Sequence, residues 1–292
     1  MPPVTVVTDT THYLPREVAD AHELRQVSLY VNWQGRQDRE ADLSDFSDYY
    51  EHLRAASELP TTSQPSIGDF LAAYEPLLAE GRDVVSIHLS GAISGTCEAA
   101  RQAKARLEEQ GAGGERIEVV DATTACGGLG MVVLPAAAAA QGGGDREQVV
   151  ARARAARAEL KMWFCLDTLE YLRRGGRVGA ARAWVGTALR IKPILTLEAE
   201  VTPIERVRTA GRAFERMVDY MEIRAKDGAD AWVVQHIQAP DVAQRLVERG
   251  RELFACEPLF VSEVGPVIGT HVGPGLIGVG AIPRSLLDRT PD

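Results

Sequence analysis

Hydroxyl side chains crowd three short stretches: Asp9-Thr10-Thr11, "TTSQPS" at 61–66 and "SGAISGT" at 90–96. The middle stretch holds no metal ligand and no strong base. Such residues form turns, yet the same hydroxyls and amides are donors that can hold an anion. The third stretch follows a strand-like run and opens a helical pattern, so its N–H groups and the helix dipole favour a carboxylate or small anion. A tight strand-to-helix turn is the plainer reading. Nucleotide triphosphate binding is excluded, because a P-loop has four residues between its glycines and then a Lys. Here three residues separate Gly91 from Gly95, and no Lys follows.

Ser94 is also a candidate nucleophile, with His271 as base and Asp9 orienting it. A serine esterase or thioesterase would use that pair, but neither the G-x-S-x-G elbow nor an obvious downstream Ser…Asp…His order is present. His271 stands out among the six histidines because "GTHVGPG" sets it among glycines that let backbone approach a ligand. His12, His22 and His52 lie in polar or helical surroundings and read as surface, while His88 and His236 end strand-like runs. No His, Cys, Asp and Glu group has metal-ligand spacing, and no metal is expected. Arginines gather in "LRRGGRVG" (172–179) and "ERVRTAGR" (205–212). They read as solvated helix ends or as a docking face for an acidic partner or a phosphate.

The elements that must position these residues alternate. Strand-like runs at 4–8, 27–33, 83–90 and 117–122 are separated by helical patterns. One helix begins after Ser66, with Asp69 at capping-box spacing, and others span 96–110 and about 127–140. This order predicts a parallel sheet covered on both faces, with ligands at the carboxyl ends of its strands. The three hydroxyl clusters fall at or near such ends. "QGGGDR" (141–146) reads as a linker, followed by a helix (145–160) and the strand 162–166. The later order stops alternating, and 194–208 reads as a hairpin whose turn lacks Gly or Asn. The expected fold class is α/β: an N-terminal parallel-sheet α/β/α domain (1–157) and a C-terminal α+β domain with a mixed sheet (158–292).

Composition narrows the partners. A net charge of −9 over 292 residues argues against a nucleic-acid binder and against a polybasic membrane patch. The longest apolar stretch, 130–140, is far below the roughly 20 residues of a membrane span. No secretory leader is expected from the N-terminus. Cys97, Cys126, Cys165 and Cys256 are scattered singly and read as reduced, so a cytoplasmic location is expected.

Taken in order, "VVTDTTHYLP", "PTTSQPS", "HLSGAISGT", "VVDATTACGGLG", "LEYLRRGGRVG", "IKPIL" and "VIGTHVGPG" resemble the DegV family, the fatty-acid-binding proteins that serve bacterial fatty acid kinases. The resemblance covers roughly residues 4–283. It implies two domains enclosing one long-chain fatty acid, no chemistry of the chain's own and no cofactor beyond that ligand. It further implies a carboxylate site at Thr62, Ser94 and His271, with Ser63 and Gly95 beside them. Kinase-facing arginines fall on Arg177 and Arg208. The kinase would form an acyl phosphate for phospholipid synthesis, and transient membrane contact is compatible with that role. One departure is Asp9-Thr10-Thr11 where Asp-Ser-Thr is commoner; it preserves the hydroxyls.

Overall fold

The computed structural model describes residues 2–33, 35–185 and 191–289. The chain runs through β1 (Val4–Asp9), α1 (Arg16–Ala21), β2 (Arg25–Val27), β3 (Tyr30–Trp33), β4 (Arg36–Arg39), α2 (Ser47–Ala55), β5 (Thr61–Ser63) and α3 (Ile67–Ala79). It continues with β6 (Asp83–His88), α4 (Thr96–Glu109), β7 (Ile117–Asp121), α5 (Gly127–Gln141) and α6 (Arg146–Glu159). Then come β8 (Lys161–Cys165), α7 (Glu170–Arg174), β9 (Lys192–Glu198), β10 (Glu200–Val207) and α8 (Ala210–Lys226). The last elements are β11 (Ala231–His236), α9 (Pro240–Phe254), β12 (Phe260–Glu263), α10 (Pro266–Val272) and β13 (Ile277–Ile282).

The β-branched run of β1 sits centrally in a parallel sheet of order β2-β1-β6-β7. Successive residues point to opposite faces. Val7 packs with Phe70, Tyr74 and Leu107 of α3 and α4, while Val4 and Val6 join the core formed with α5. The capping box at the start of α3 forms as its spacing predicts: Asp69 N–H donates to Ser66 Oγ, and Ser66 N–H donates to the Asp69 carboxylate. Together with a second, mixed sheet of order β10-β9-β8-β13-β11-β12, this is the expected α/β class. α8 and α9 cover one face of the mixed sheet through Met217, Tyr220 and Leu246. A cross-strand row of Leu195, Phe164, Gly278, Gln235 and Ser262 lies on one face of it.

Three local expectations change. The run 27–33 is not one strand. It breaks at Ser28 and Leu29, where Leu29 O accepts from Glu40 N–H and Ser28 Oγ–H, and Ser28 Oγ accepts from Ala41 N–H. β2 therefore pairs with β1, while β3 pairs antiparallel with β4 and β5 in a small third sheet. Thr61–Ser63, expected as a turn, is an edge strand of that sheet, with Thr62 opposite Val31. "QGGGDR" is a tight turn joining the mutually packed α5 and α6 rather than a linker, with Gly143 at φ 86°.

The hairpin at 194–208 is β9–β10. Its turn residue, Ala199, takes φ 67°, which Gly or Asn would adopt more readily. Long-range bonds hold it there: Ala199 N–H donates to Thr123 O (2.9 Å), and Ser90 Oγ–H donates to Ala199 O (2.5 Å). Arg157 adds a 2.8 Å ion pair to Glu198.

Candidate functional site

A cavity of about 320 Å³ is bounded by β5, the 89–95 loop, the N-terminus of α5, α10 and the mixed sheet. That volume lies at the low end for small-molecule pockets. Most of its wall is apolar, including Leu89, Ile93, Phe164, Leu172, Val267 and Leu276. The polar lining is contiguous. Thr62 Oγ1 stands 2.8 Å from His271 Nε2, and Gln64 lies against Gly95, where any Cβ would collide with the Gln64 amide. Arg177 Nε–H donates to Ile93 O at 3.3 Å, which ties the arginine to the loop bearing Ser94.

Thr62, Ser63, Ser94, Gly95 and His271 all line this cavity. Asn32 donates to Ser63 Oγ at 2.7 Å, and Ser94 Oγ is 2.8 Å from Thr96 Oγ1. Arg177 lines the cavity as well, whereas Arg208 is exposed just past β10 and does not. Gln64 is a lining residue that the sequence reading passed over. Its only sequence signal was its place within "TTSQPS".

His271 is carried by a helix, not by a glycine loop. Gly269 lets α10 press onto Tyr50, whose ring a Cβ would strike, and Gly175 leaves room for the imidazole. The glycines of 265–275 thus serve close packing of α10 more than backbone contact with a ligand. Burial pushes the His271 imidazolium down to about 4, and Arg177 pushes the same way, so the ring is neutral at pH 7. Its Nδ1 is buried and has no hydrogen-bond partner among the described residues. In the tautomer with the proton on Nε2, His271 donates to Thr62 Oγ1. The Thr62 hydroxyl is then free to donate to an oxygen anion in the cavity.

Glu40 sets the other end of α10. Its carboxylate is buried and accepts from Thr10 Oγ1–H (2.7 Å), Tyr13 Oη–H (2.9 Å) and Val267 N–H (2.8 Å). Desolvation raises it to about 7 despite these donors. Nothing in its local sequence marks it, since its partners lie up to 227 residues away.

The Asp9–His271–Ser94 arrangement does not form. Asp9 is fully buried and accepts from Thr11 N–H, Thr11 Oγ1–H and Leu89 N–H, with His88 Nδ1 at 3.1 Å. His88 Nε2 continues to Ser86 Oγ (2.7 Å) and so to Tyr74 Oη (2.7 Å). His12, expected at the surface, is buried: Leu14 N–H donates to its Nδ1 at 2.7 Å, and burial lowers its pKa to about 4. Among the described residues no group of His, Cys, Asp and Glu could hold a metal ion, and no helix is long and apolar enough to cross a membrane.

The model of the DegV family, described as uncharacterised proteins, matches residues 3–284. The chain belongs to the DegV family. A DegV domain-containing protein of Streptomyces coelicolor is 38% identical over 279 residues, covering 94% of this chain and 97% of the relative. The DegV protein of Bacillus subtilis is 32% identical, covering 94% of this chain and 98% of its own. Among solved structures, a fatty-acid-binding DegV family protein from Thermus thermophilus superimposes with TM-score 0.85 at 34% identity, over 96% of this chain and 99% of that one. The Bacillus subtilis DegV structure, described as a fatty acid binding protein, gives TM-score 0.85 at 31% identity, over 97% and 100%.

Proposed function

We propose that this DegV chain binds one long-chain fatty acid in the 320 Å³ cavity and presents its carboxylate to a fatty acid kinase. The observation that carries the reading is the Thr62–His271 pair, with Ser94 and Gly95 beside it, in the wall of an otherwise apolar cavity. A buried carboxylate must be hydrogen-bonded. The Thr62 and Ser94 hydroxyls supply that, and the neutral His271 imidazole, by donating to Thr62 Oγ1, leaves the Thr62 hydroxyl free to donate, all without a fixed charge. The tail supplies most of the affinity, at roughly 0.8 kcal/mol per buried CH₂. In this reading residues 1–157 contribute Thr62 and Ser94, residues 158–292 contribute His271, and the acyl chain lies between.

The chain itself does no covalent chemistry. On the kinase, a carboxylate oxygen attacks the γ-phosphorus of ATP, the bond to the bridging oxygen breaks, and ADP leaves with that electron pair. An acyl phosphate remains. Arg208, exposed beyond β10, and Arg177 are the docking residues for the kinase. Mass spectrometry of lipid extracted from the purified, denatured protein tests the reading. A stoichiometric fatty acid that disappears in Thr62→Ala/Ser94→Ala is expected; an empty protein that also refuses added fatty acid would overturn it.

A further inference from the structure

The geometry points to a second, outer pocket as an anion site for the phosphoryl group of a fatty acyl phosphate, with Arg174 and Arg177 as its cations. This rests on the fatty-acid reading of the cavity. The outer pocket, about 390 Å³, is lined by Arg174, Arg177, Glu58 and Thr270 and shares Thr62, Arg177 and His271 with the cavity. It therefore borders the same hydroxyl–imidazole pair that holds the carboxylate. An acyl phosphate is the fatty acid with one tetrahedral group added to a carboxyl oxygen. The added group needs space next to Thr62 and His271, and this pocket is such a space.

Its charge fits. Ion pairs to carboxylates occupy many arginines of this acidic chain, and the neighbouring Arg173 is paired with Glu170. Arg174 instead donates to Ser57 O (2.7 Å), and Arg177 donates to Ile93 O and Gly175 O (3.3 and 2.7 Å). Neither guanidinium donates to a carboxylate among the described residues. One carboxylate, the exposed Glu58, lines the same pocket, leaving a net positive lining. The neutral His271 adds no charge, so the arginines must balance the extra negative charge of a phosphoryl group. A guanidinium matches phosphate oxygens in two parallel hydrogen bonds.

The test needs no kinase. Palmitate and synthetic palmitoyl phosphate are competed against a fluorescent fatty acid on the full chain, for wild type, Arg174→Gln and Arg174→Lys. Arg174→Gln should weaken palmitoyl phosphate about tenfold, as expected for loss of a charge-assisted bond. Palmitate should stay within about twofold, which also reports an intact fold, and Arg174→Lys should recover part of the loss. Equal affinities for palmitoyl phosphate in wild type and Arg174→Gln would overturn the proposal while leaving fatty-acid binding intact. Wild type that binds neither compound would instead overturn the fatty-acid reading itself.

Discussion

Glu40→Gln should stabilise the protein at neutral and alkaline pH but not in acid. In the folded chain the Glu40 carboxyl is raised from 4.5 to about 7, chiefly by desolvation. Below pH 4.5 the group is protonated in both states and contributes nothing to the difference. Between 4.5 and 7 the unfolded chain releases the proton while the folded chain keeps it, so stability falls as pH rises. Above 7 the loss levels off at about 3 kcal/mol, from roughly 1.4 kcal/mol per pH unit of displacement. A Gln keeps the carbonyl oxygen facing Tyr13 Oη and Val267 N–H. Its amide can donate to Thr10 Oγ1, so the shape and bonds survive without the titration. Urea unfolding of both proteins at pH 5 and pH 8 isolates the effect, because the histidines titrate alike in each. Because part of the loss is already present at pH 5, the difference in unfolding free energy should shift in favour of the variant by about 2.5 kcal/mol between the two pH values. A difference that stays constant with pH, or moves the other way, refutes the reasoning that Glu40 is held largely by burial.

Two further outcomes are expected. Gly278 lines the cavity from the middle of the mixed sheet, and a Cβ there would meet Phe164 Cβ at an ordinary 3.4 Å. Gly278→Ala should therefore fold, remove space for about one methylene and weaken the longest accepted fatty acid about fourfold relative to a shorter one; an unchanged ranking across a chain-length series would count against the cavity as the tail site. Arg208→Ala, remote from the cavity lining, should leave fatty acid affinity unchanged and lower the rate of kinase-dependent acyl phosphate formation; a loss of fatty acid binding would remove Arg208 from the docking surface.

What could be read from the sequence was whatever short-range chemistry determines. The capping box at Ser66 and Asp69, the apolar period of α3 and the β-branched run of β1 are each specified within a few residues, and each forms as expected. The hydroxyl clusters were legible as donor groups for the same reason. The misses share a different cause. His12 sits among polar neighbours, yet Thr10 and Thr11 are themselves buried, so local polarity misreported its environment. α10 contains Gly269 and the β-branched Val267, Ile268, Thr270 and Val272, a sequence with weak intrinsic helix preference despite Pro266 at its start. Its helix is stabilised by packing against Tyr50 and by the Glu40 carboxylate at Val267 N–H, contacts from the other end of the chain. Ala199 likewise tolerates a left-handed backbone because Thr123 and Ser90 bond to it across the fold. Gln64, Glu40 and Arg177 acquire their surroundings only when residues far apart in sequence meet. The local patterns therefore picked out hydroxyls that line the cavity, while the helix that carries His271 and the arginines beside it depend on tertiary contacts that no short motif encodes.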